Sequence, residues 1–284
     1  MMKFQQHPYT YVSTVTLLTG DLKRAEEFYT SIIGLNVLEK SQEEVSLTAD
    51  GVHPILTLQQ QNDMMQKEPR RTGLYHFAIL LPSRKDLSSF LHHLIHTQYP
   101  IQGASDHLVS EAIYFADPDG NGIEIYADRP SDHWRWTDGQ IEMATHALQA
   151  ENLLSESTLA DWRGMPADTV MGHIHLHVSN LDDAKRFYTE GLGFEVVSKY
   201  GNQALFISTG GYHHHLGLNT WNGAGAAKPS ENSVRMGSFT IVYPSAEERQ
   251  NAASRLEKLG AETVTKDDVI LAADPSGNWI HLAV

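Results

Sequence analysis

The segment Asn180–Val196 reads NLDDAKRFYTEGLGFEV and repeats the pattern of Asp21–Val37, DLKRAEEFYTSIIGLNV. A second pair of segments recurs at nearly the same spacing, with DPDGNGIE at Asp117–Glu124 and DPSGNWIH at Asp274–His281. Two motifs that return in the same order indicate an internal duplication. The sequence therefore predicts that the 284 residues form two homologous halves.

Each half divides again into two units. In the first unit, Tyr11–Leu18 has the pattern of a strand, and Asp21–Ile33 has the apolar stripe of a helix that ends at Gly34. Three short strands follow, and the same order recurs in the other units. We therefore predict an α+β fold of four βαβββ modules at 9–62, 73–129, 172–222 and 237–284. The two halves are 9–129 and 172–284, and a connector at 130–171 is expected to contain a helix near Ala144–Leu154.

The composition limits the classes of function. The chain has 21 basic and 35 acidic residues, a net charge of −14, so it lacks the positive surface that nucleic acids and anionic membranes require. There is no Cys, so a metal site would use His, Asp or Glu, and the chain has 16 His. Neither a signal-peptide core nor a long apolar run is present, and we expect a cytoplasmic protein.

Candidate metal ligands lie on the strand that opens the second half, Gly172–Val178, which reads GHIHLHV. Alternation along a strand places His173, His175 and His177 on one face and the apolar residues on the other. The distance of each histidine from the start of the next helix distinguishes the three. His173 lies seven residues before Asn180, which stands at the strand–helix junction. We expect His175 to line the pocket or to support a ligand, and His177 to be structural.

The residue seven positions before the strand–helix junction can be compared in the other units. His76 lies seven residues before the junction in the second unit, whereas the first and fourth units have Thr14 and Ser238 at this position. Glu124, between two isoleucines on the last strand of the second unit, also faces away from the apolar side. The three predicted metal ligands are thus His76, Glu124 and His173. Two imidazoles and one carboxylate form the facial triad typical of non-haem iron(II) oxygenases.

The chain resembles the vicinal oxygen chelate superfamily, and within it the extradiol ring-cleavage dioxygenases of the bacterial catechol 2,3-dioxygenase type. The residues that carry the resemblance span nearly the whole chain: GHIHLHV, AKRFYTEGLGF, YHHHLGL, YHFAI and YFADPDGNGIEIY. The resemblance implies paired modules that form two incomplete barrels around a cleft. It also implies Fe(II), with Mn(II) as the alternative, and a small aromatic diol and O2 as substrates. The oligomeric state stays open, with a homo-oligomer as one outcome.

Further site residues follow from the resemblance. His214 matches the family's acid/base histidine, although it alternates with apolar residues, so a bulge or a strand start must turn it into the cleft. His213 and His215 remain alternatives for this role or for contact with the substrate. Tyr114 resembles a substrate-binding tyrosine, and His107 a further histidine of the active site.

The predicted ligands come from both halves, whereas many two-domain relatives take all three from the C-terminal half. We therefore predict that modules two and three pair around the metal. Two other functions remain open on this fold. A glyoxalase-type lyase or isomerase normally uses two carboxylates, but the last strand of the third unit offers Leu and Asn. A non-catalytic small-molecule binding or resistance protein would lack the metal, and cleavage of hydroquinone instead of catechol is a nearer variant.

Overall fold

The computed structural model describes residues 3–266 and 269–284. Unit one comprises β1 (Tyr11–Thr19), α1 (Leu22–Ser31), β2 (Asn36–Lys40), β3 (Glu44–Thr48) and β4 (Pro54–Gln60). Unit two comprises β5 (Gly73–Leu80), α2 (Arg84–Thr97), β6 (Gly103–Asp106), β7 (Ser110–Ala116) and β8 (Gly122–Asp128). The connector holds β9 (Trp136–Thr137), β10 (Gln140–Ile141), β11 (His146–Ala147) and α3 (Ala150–Leu154).

Unit three comprises β12 (Val170–His177), α4 (Leu181–Arg186), β13 (Glu195–Tyr200), β14 (Ala204–Ser208) and β15 (Leu216–Asn219). Unit four comprises β16 (Arg235–Val242), α5 (Ala246–Lys258), β17 (Glu262–Lys266), β18 (Val269–Ala273) and β19 (Trp279–Ala283). A single π-turn, Phe187–Gly191, extends α4. The predicted order of one strand, one helix and three strands is confirmed in all four units.

The strands form two large sheets, and each sheet takes one unit from each half. The eight-stranded sheet has the order β17-β18-β19-β16-β1-β4-β3-β2, and the nine-stranded sheet has the order β11-β6-β7-β8-β5-β12-β15-β14-β13. Antiparallel pairs β1–β16 and β5–β12 join the units within each sheet. Both sheets are incomplete barrels, and the prediction that modules two and three pair is confirmed.

The predicted connector helix near Ala144–Leu154 is wrong over its first six residues. Only Ala150–Leu154 is helical, while His146–Ala147 forms β11 and pairs with β6. The free edge of β6 presents unpaired backbone groups, and pairing with them outweighs the local preference for helix.

Polar side chains fix the start of the helix in every unit. Asp21, Ser83, Asn180 and Ser245 each accept a hydrogen bond from a backbone N–H two or three residues further on. Such caps satisfy N–H groups that lack a partner within the helix. The caps therefore fix the strand–helix junctions from which the positions of His76 and His173 were counted.

The two repeated motifs contact each other in both halves. The Tyr29 hydroxyl donates to Asp117 Oδ2 at 2.8 Å, and the Tyr188 hydroxyl donates to Asp274 Oδ2 at 3.0 Å. All four side chains are buried, and burial raises the pKa of both aspartates. Each hydrogen bond joins the helix of one unit to the last turn of the next, which explains why the motifs are repeated together.

One buried apolar cluster contains residues of all four units, including Tyr29, Phe77, Leu176 and Phe239. Ile174, Leu176 and Val178 belong to it, as the alternation of GHIHLHV predicts. The histidine face of β12 therefore points away from the core. Within the described residues, every helix is too short or too polar to cross a membrane.

Candidate metal centre

Three neighbouring strands bring the predicted ligands together. In the pairing of β12 with β5, His173 lies opposite Ala78, and in the pairing of β5 with β8, Ala78 lies opposite Glu124. His76 is two residues from Ala78 and shares its face of β5. Because the methyl group of Ala78 is the only side chain between them in this row, His173 and Glu124 can approach each other across β5.

The three side chains converge on one carboxylate oxygen. Glu124 Oε2 lies 3.0 Å from His76 Nε2 and 3.1 Å from His173 Nε2, and the candidate ligand atoms all lie within 4.8 Å of one another. All three residues are buried. A structure with His173 more than about 6 Å from the other two would have excluded a shared metal, since metal–ligand bonds are about 2 Å long.

The electrostatics favour an ionised Glu124 carboxylate and a neutral His173 imidazole. Burial alone would raise the pKa of Glu124, but His173 and His76 together hold it well below its usual value. Burial lowers the pKa of His173 to about 4, against the opposing effect of Glu124. A metal requires these protonation states, because it binds deprotonated ligands.

The donor set fits a divalent metal. Buried His76 Nε2 has no aligned hydrogen-bond partner within the part of the chain that is described, although it lies beside the carboxylate. A buried polar atom without a partner is costly, and a cation shared with Glu124 and His173 would satisfy it. Two His and one Glu leave coordination positions open, which suits Fe(II) and also Mn(II).

The position that could supply a second carboxylate is a glycine. His173 in unit three corresponds to His76 in unit two, so His175 corresponds to Ala78. Ala78 lies opposite Glu124 on β8, and His175 lies opposite Gly217 on β15. A side chain on Gly217 would meet the His175 ring, because an added Cβ would lie 2.7 Å from it. Of the Leu and Asn expected on this strand, Leu216 and Leu218 flank Gly217 and Asn219 follows, and Gly217 itself corresponds to Glu124.

Tyr114 and His107 form a pair beside the centre. Tyr114 is the cross-strand neighbour of Glu124, and its hydroxyl lies 2.7 Å from His107 Nε2. His107 Nδ1 lies 2.7 Å from the backbone oxygen of Ala144, so this nitrogen carries the proton and Nε2 accepts from Tyr114. Burial, followed by the charge of Glu124, raises the pKa of Tyr114 well above its usual value. The tyrosine is therefore a neutral hydroxyl at the wall of the cavity.

The three consecutive histidines have three different environments. Strand β15 begins at Leu216, so His214 precedes the regular alternation, and its ring lines the cavity 4.0 Å from the ring of His173. His213 is fully buried behind it and contacts Asp128. His215 lies off the cavity, with Nδ1 3.2 Å from Ser208 Oγ and Nε2 3.4 Å from the Phe4 backbone oxygen. Of the three, the structure brings only His214 to the cavity.

His175 belongs to an aromatic wall, which we define as Tyr75, His175, Phe206 and Trp221. Ring centroids along this wall are 5.1 to 5.6 Å apart, and Tyr75 also lies 4.9 Å from the ring of His76. Tyr75 and Trp221 remain 40% and 43% exposed, and all four residues line a cavity of about 1540 Å³. His177 also reaches the cavity, and its Nδ1 lies 2.7 Å from Asn219 Oδ1.

Sequence reasoning missed several residues around the centre. Tyr126 packs on His173 with ring centroids 5.0 Å apart, and Gly172 is required there because an added Cβ would lie 1.9 Å from the tyrosine hydroxyl. Asp128 shares the face of β8 with Glu124 and could have been found from this alternation. Trp221 lies in a loop, where no periodicity could have indicated it.

The chain belongs to the Glyoxalase/Bleomycin resistance protein/Dioxygenase superfamily, which matches at residues 11–125 and 170–282. This is the vicinal oxygen chelate superfamily that the motifs predicted. Over 282 residues the chain is 43% identical to catechol-2,3-dioxygenase of Bacillus subtilis (strain 168), and the match covers 98% of this chain and 99% of that protein.

Two further similarities are more distant. Biphenyl-2,3-diol 1,2-dioxygenase 3 of Rhodococcus globerulus is 28% identical over 118 residues, which are 39% of this chain and 60% of that protein. The crystal structure of glyoxalase I from Zea mays superposes with a TM-score of 0.59 at 15% identity, covering 96% of this chain and 92% of that chain. The last similarity shows a shared fold.

Proposed function

We propose that the protein is a metal-dependent extradiol dioxygenase that inserts O2 into a catecholic substrate and opens its ring. The observation that carries the proposal is the buried cluster of His76, Glu124 and His173, in a chain 43% identical to a catechol-2,3-dioxygenase. The proposed metal is Fe(II), with Mn(II) as the alternative. The proposed substrates are an aromatic diol and O2.

When bound, the metal would orient the diol and O2 and balance the negative charge of the diol oxygens. The residues of the chain would handle the protons. His214, whose ring faces the cavity beside His173, is the proposed acid/base group and would take up and return a proton at Nε2. Tyr114, whose hydroxyl proton is donated to His107, would accept a hydrogen bond from a protonated oxygen of the diol, on the other side of the site from His214.

The glyoxalase-type alternative is less well supported. Such enzymes normally place two carboxylates around the metal, and this chain has Gly217 where the second would be expected. Burial of His175 against Gly217 fills the space that a longer side chain would need.

The decisive experiment begins with anaerobic loading of the purified protein with Fe(II) or Mn(II). Catechol and air are then added while oxygen uptake and a yellow ring-opened semialdehyde are recorded. We expect one O2 to be consumed for each diol cleaved. A metal-loaded protein that consumes no O2 with any catechol or hydroquinone tested would contradict the proposal, and isomerisation of a hemithioacetal would favour the glyoxalase alternative.

The aromatic wall predicts a preference among diols. The exposed faces of Tyr75 and Trp221 begin beside His76 and can pack against an apolar or aryl substituent on the ring. Trp221→Ala should raise the KM for a phenyl-substituted catechol about 5- to 15-fold, equivalent to the roughly 1–1.5 kcal/mol of an aromatic contact. The KM for unsubstituted catechol should change less than about twofold on this account.

The matched control is Trp136→Ala. Trp136 is comparably exposed, at 39%, but lies on β9 and does not line the cavity. Steady-state kinetics with both diols separates the effects. An equal change of KM for the two diols in the Trp221 variant would show that the wall does not contact the substituent.

A further inference from the structure

Asp128 and His213 form a hydrogen-bonded chain that ends on the proposed acid/base residue. Asp128 Oδ1 lies 2.8 Å from His213 Nε2, and His213 Nδ1 lies 2.7 Å from His214 Nδ1. Asp128 ends β8, four residues after Glu124 and on the same face, whereas the two histidines precede β15. Strand β8 thus supplies both a predicted metal ligand, Glu124, and the first residue of the hydrogen-bonded chain, Asp128.

The hydrogen-bonded chain of Asp128, His213 and His214 is enclosed by the protein. His213 has no exposed side-chain surface, and the Asp128 side chain is 13% exposed. The rings of Tyr212 and Trp134 lie 4.1 and 5.2 Å from the ring of His213, so its plane is held by packing. Tyr212 also places its hydroxyl 3.5 Å from Asp128 Oδ1. A ring so confined has few alternatives to the two hydrogen bonds observed.

The direction of the hydrogen bonds follows from the chemistry of the groups. An ionised carboxylate only accepts, so His213 must donate from Nε2 to Asp128. With His213 neutral and its proton on Nε2, its Nδ1 has a lone pair, and His214 then donates from its own Nδ1. The remaining nitrogen of His214, Nε2, is left with a lone pair for the cavity that the ring lines.

We propose that Asp128 is a positioning residue, which acts through His213 to hold His214 in the tautomer whose Nε2 is unprotonated and free to take a proton from the substrate. The role of His214 as acid/base group rests on the proposed function, whereas the tautomer does not. A carboxylate is needed because an amide can either donate to His213 or accept from it. With asparagine at position 128 both directions become available, and the two tautomers of His214 compete.

The test uses Asp128→Asn with Asp132→Asn as the control. Asp132 is an exposed carboxylate of the neighbouring connector. In protein with 15N-labelled histidine, we expect NMR to show His214 protonated at Nδ1 in the unsubstituted protein and in D132N. In D128N the proton should be shared with Nε2. His213→Phe should have the same effect, because its ring can neither donate to Asp128 nor accept from His214, and it provides a second measurement should D128N fail to fold.

Kinetics gives an independent reading. An Asp-to-Asn change at an orienting carboxylate can lower kcat by as much as about 10⁴-fold, and for this indirect chain we expect a loss of roughly 10- to 100-fold. KM and metal content should stay within about threefold of the unsubstituted protein, because neither the cavity wall nor the metal ligands change. D132N should be unaffected.

Two results would overturn the inference. One is His214 protonated at Nε2 in the unsubstituted protein. The other is an unchanged His214 tautomer in both D128N and H213F. Failure of the proposed function gives a different result, since a protein without dioxygenase activity would still show the tautomer change in D128N. A tautomer change without loss of kcat in an active enzyme would reject the positioning role alone.

Discussion

Glu124→Gln is expected to cause the largest loss in the molecule, at least about 100-fold in metal affinity and more than about 10³-fold in ring-cleaving turnover. The carboxylate is the one negative charge that His76 and His173 share, and a neutral amide removes that charge from the proposed coordination sphere. Loss of a group that merely orients a ligand typically costs 10- to 100-fold in metal affinity, so loss of the anionic ligand should cost more. Metal content after gel filtration and oxygen uptake measure the two effects.

The matched control is Glu111→Gln. Glu111 is buried on the adjacent strand β7 and pairs with Arg84 and Arg129, away from the proposed ligands. Weakening this pair should reduce the free energy of unfolding by about 1–3 kcal/mol while metal content and turnover per metal are retained. If E124Q binds iron as tightly as the unsubstituted protein, Glu124 is not a ligand.

His214→Ala should retain the metal and slow turnover by about 10²- to 10⁴-fold, the range expected when a general acid/base is removed. Burial and the neighbouring histidines lower the pKa of His214 well below its usual value, so the ring is neutral and can accept a proton at ordinary pH. The loss should appear in kcat more than in KM, because the proton is transferred during the reaction and not on binding. Steady-state kinetics with parallel metal analysis measures both.

His215→Gln is the control from the same segment. His215 bonds to Ser208 and to the Phe4 backbone, so this change should affect stability and leave turnover within about threefold. Equal losses in the two variants would indicate a general disturbance of the segment before β15. Unchanged turnover in H214A would reject its acid/base role and return attention to Tyr114 and His107.

Local sequence was sufficient to predict the positions of the proposed ligands. The duplicated motifs identify equivalent strand–helix junctions, and a fixed count back from a junction selects His76 and His173. Alternation with two isoleucines selects the face of Glu124. The three side chains lie together in the structure because the strand period is two, and the caps fix the junctions at equivalent positions.

Contacts between distant strands could not be predicted in this way. The approach of His173 to Glu124 depends on Ala78 between them, a fact of sheet register that no local pattern contains. The contact of Asp128 with His213 joins residues 85 positions apart. His214 appeared to face the core because the sequence does not reveal that β15 begins at Leu216.

The pairing of β5 with β12 also has a consequence for biosynthesis. During translation, His76 and Glu124 leave the ribosome well before His173, whose strand β12 pairs with the edge of β5 that faces away from β8. The same holds for β1, whose partner β16 belongs to the last unit. The nascent first half therefore exposes two strand edges until the second half arrives, and a three-ligand metal centre can assemble only after that docking.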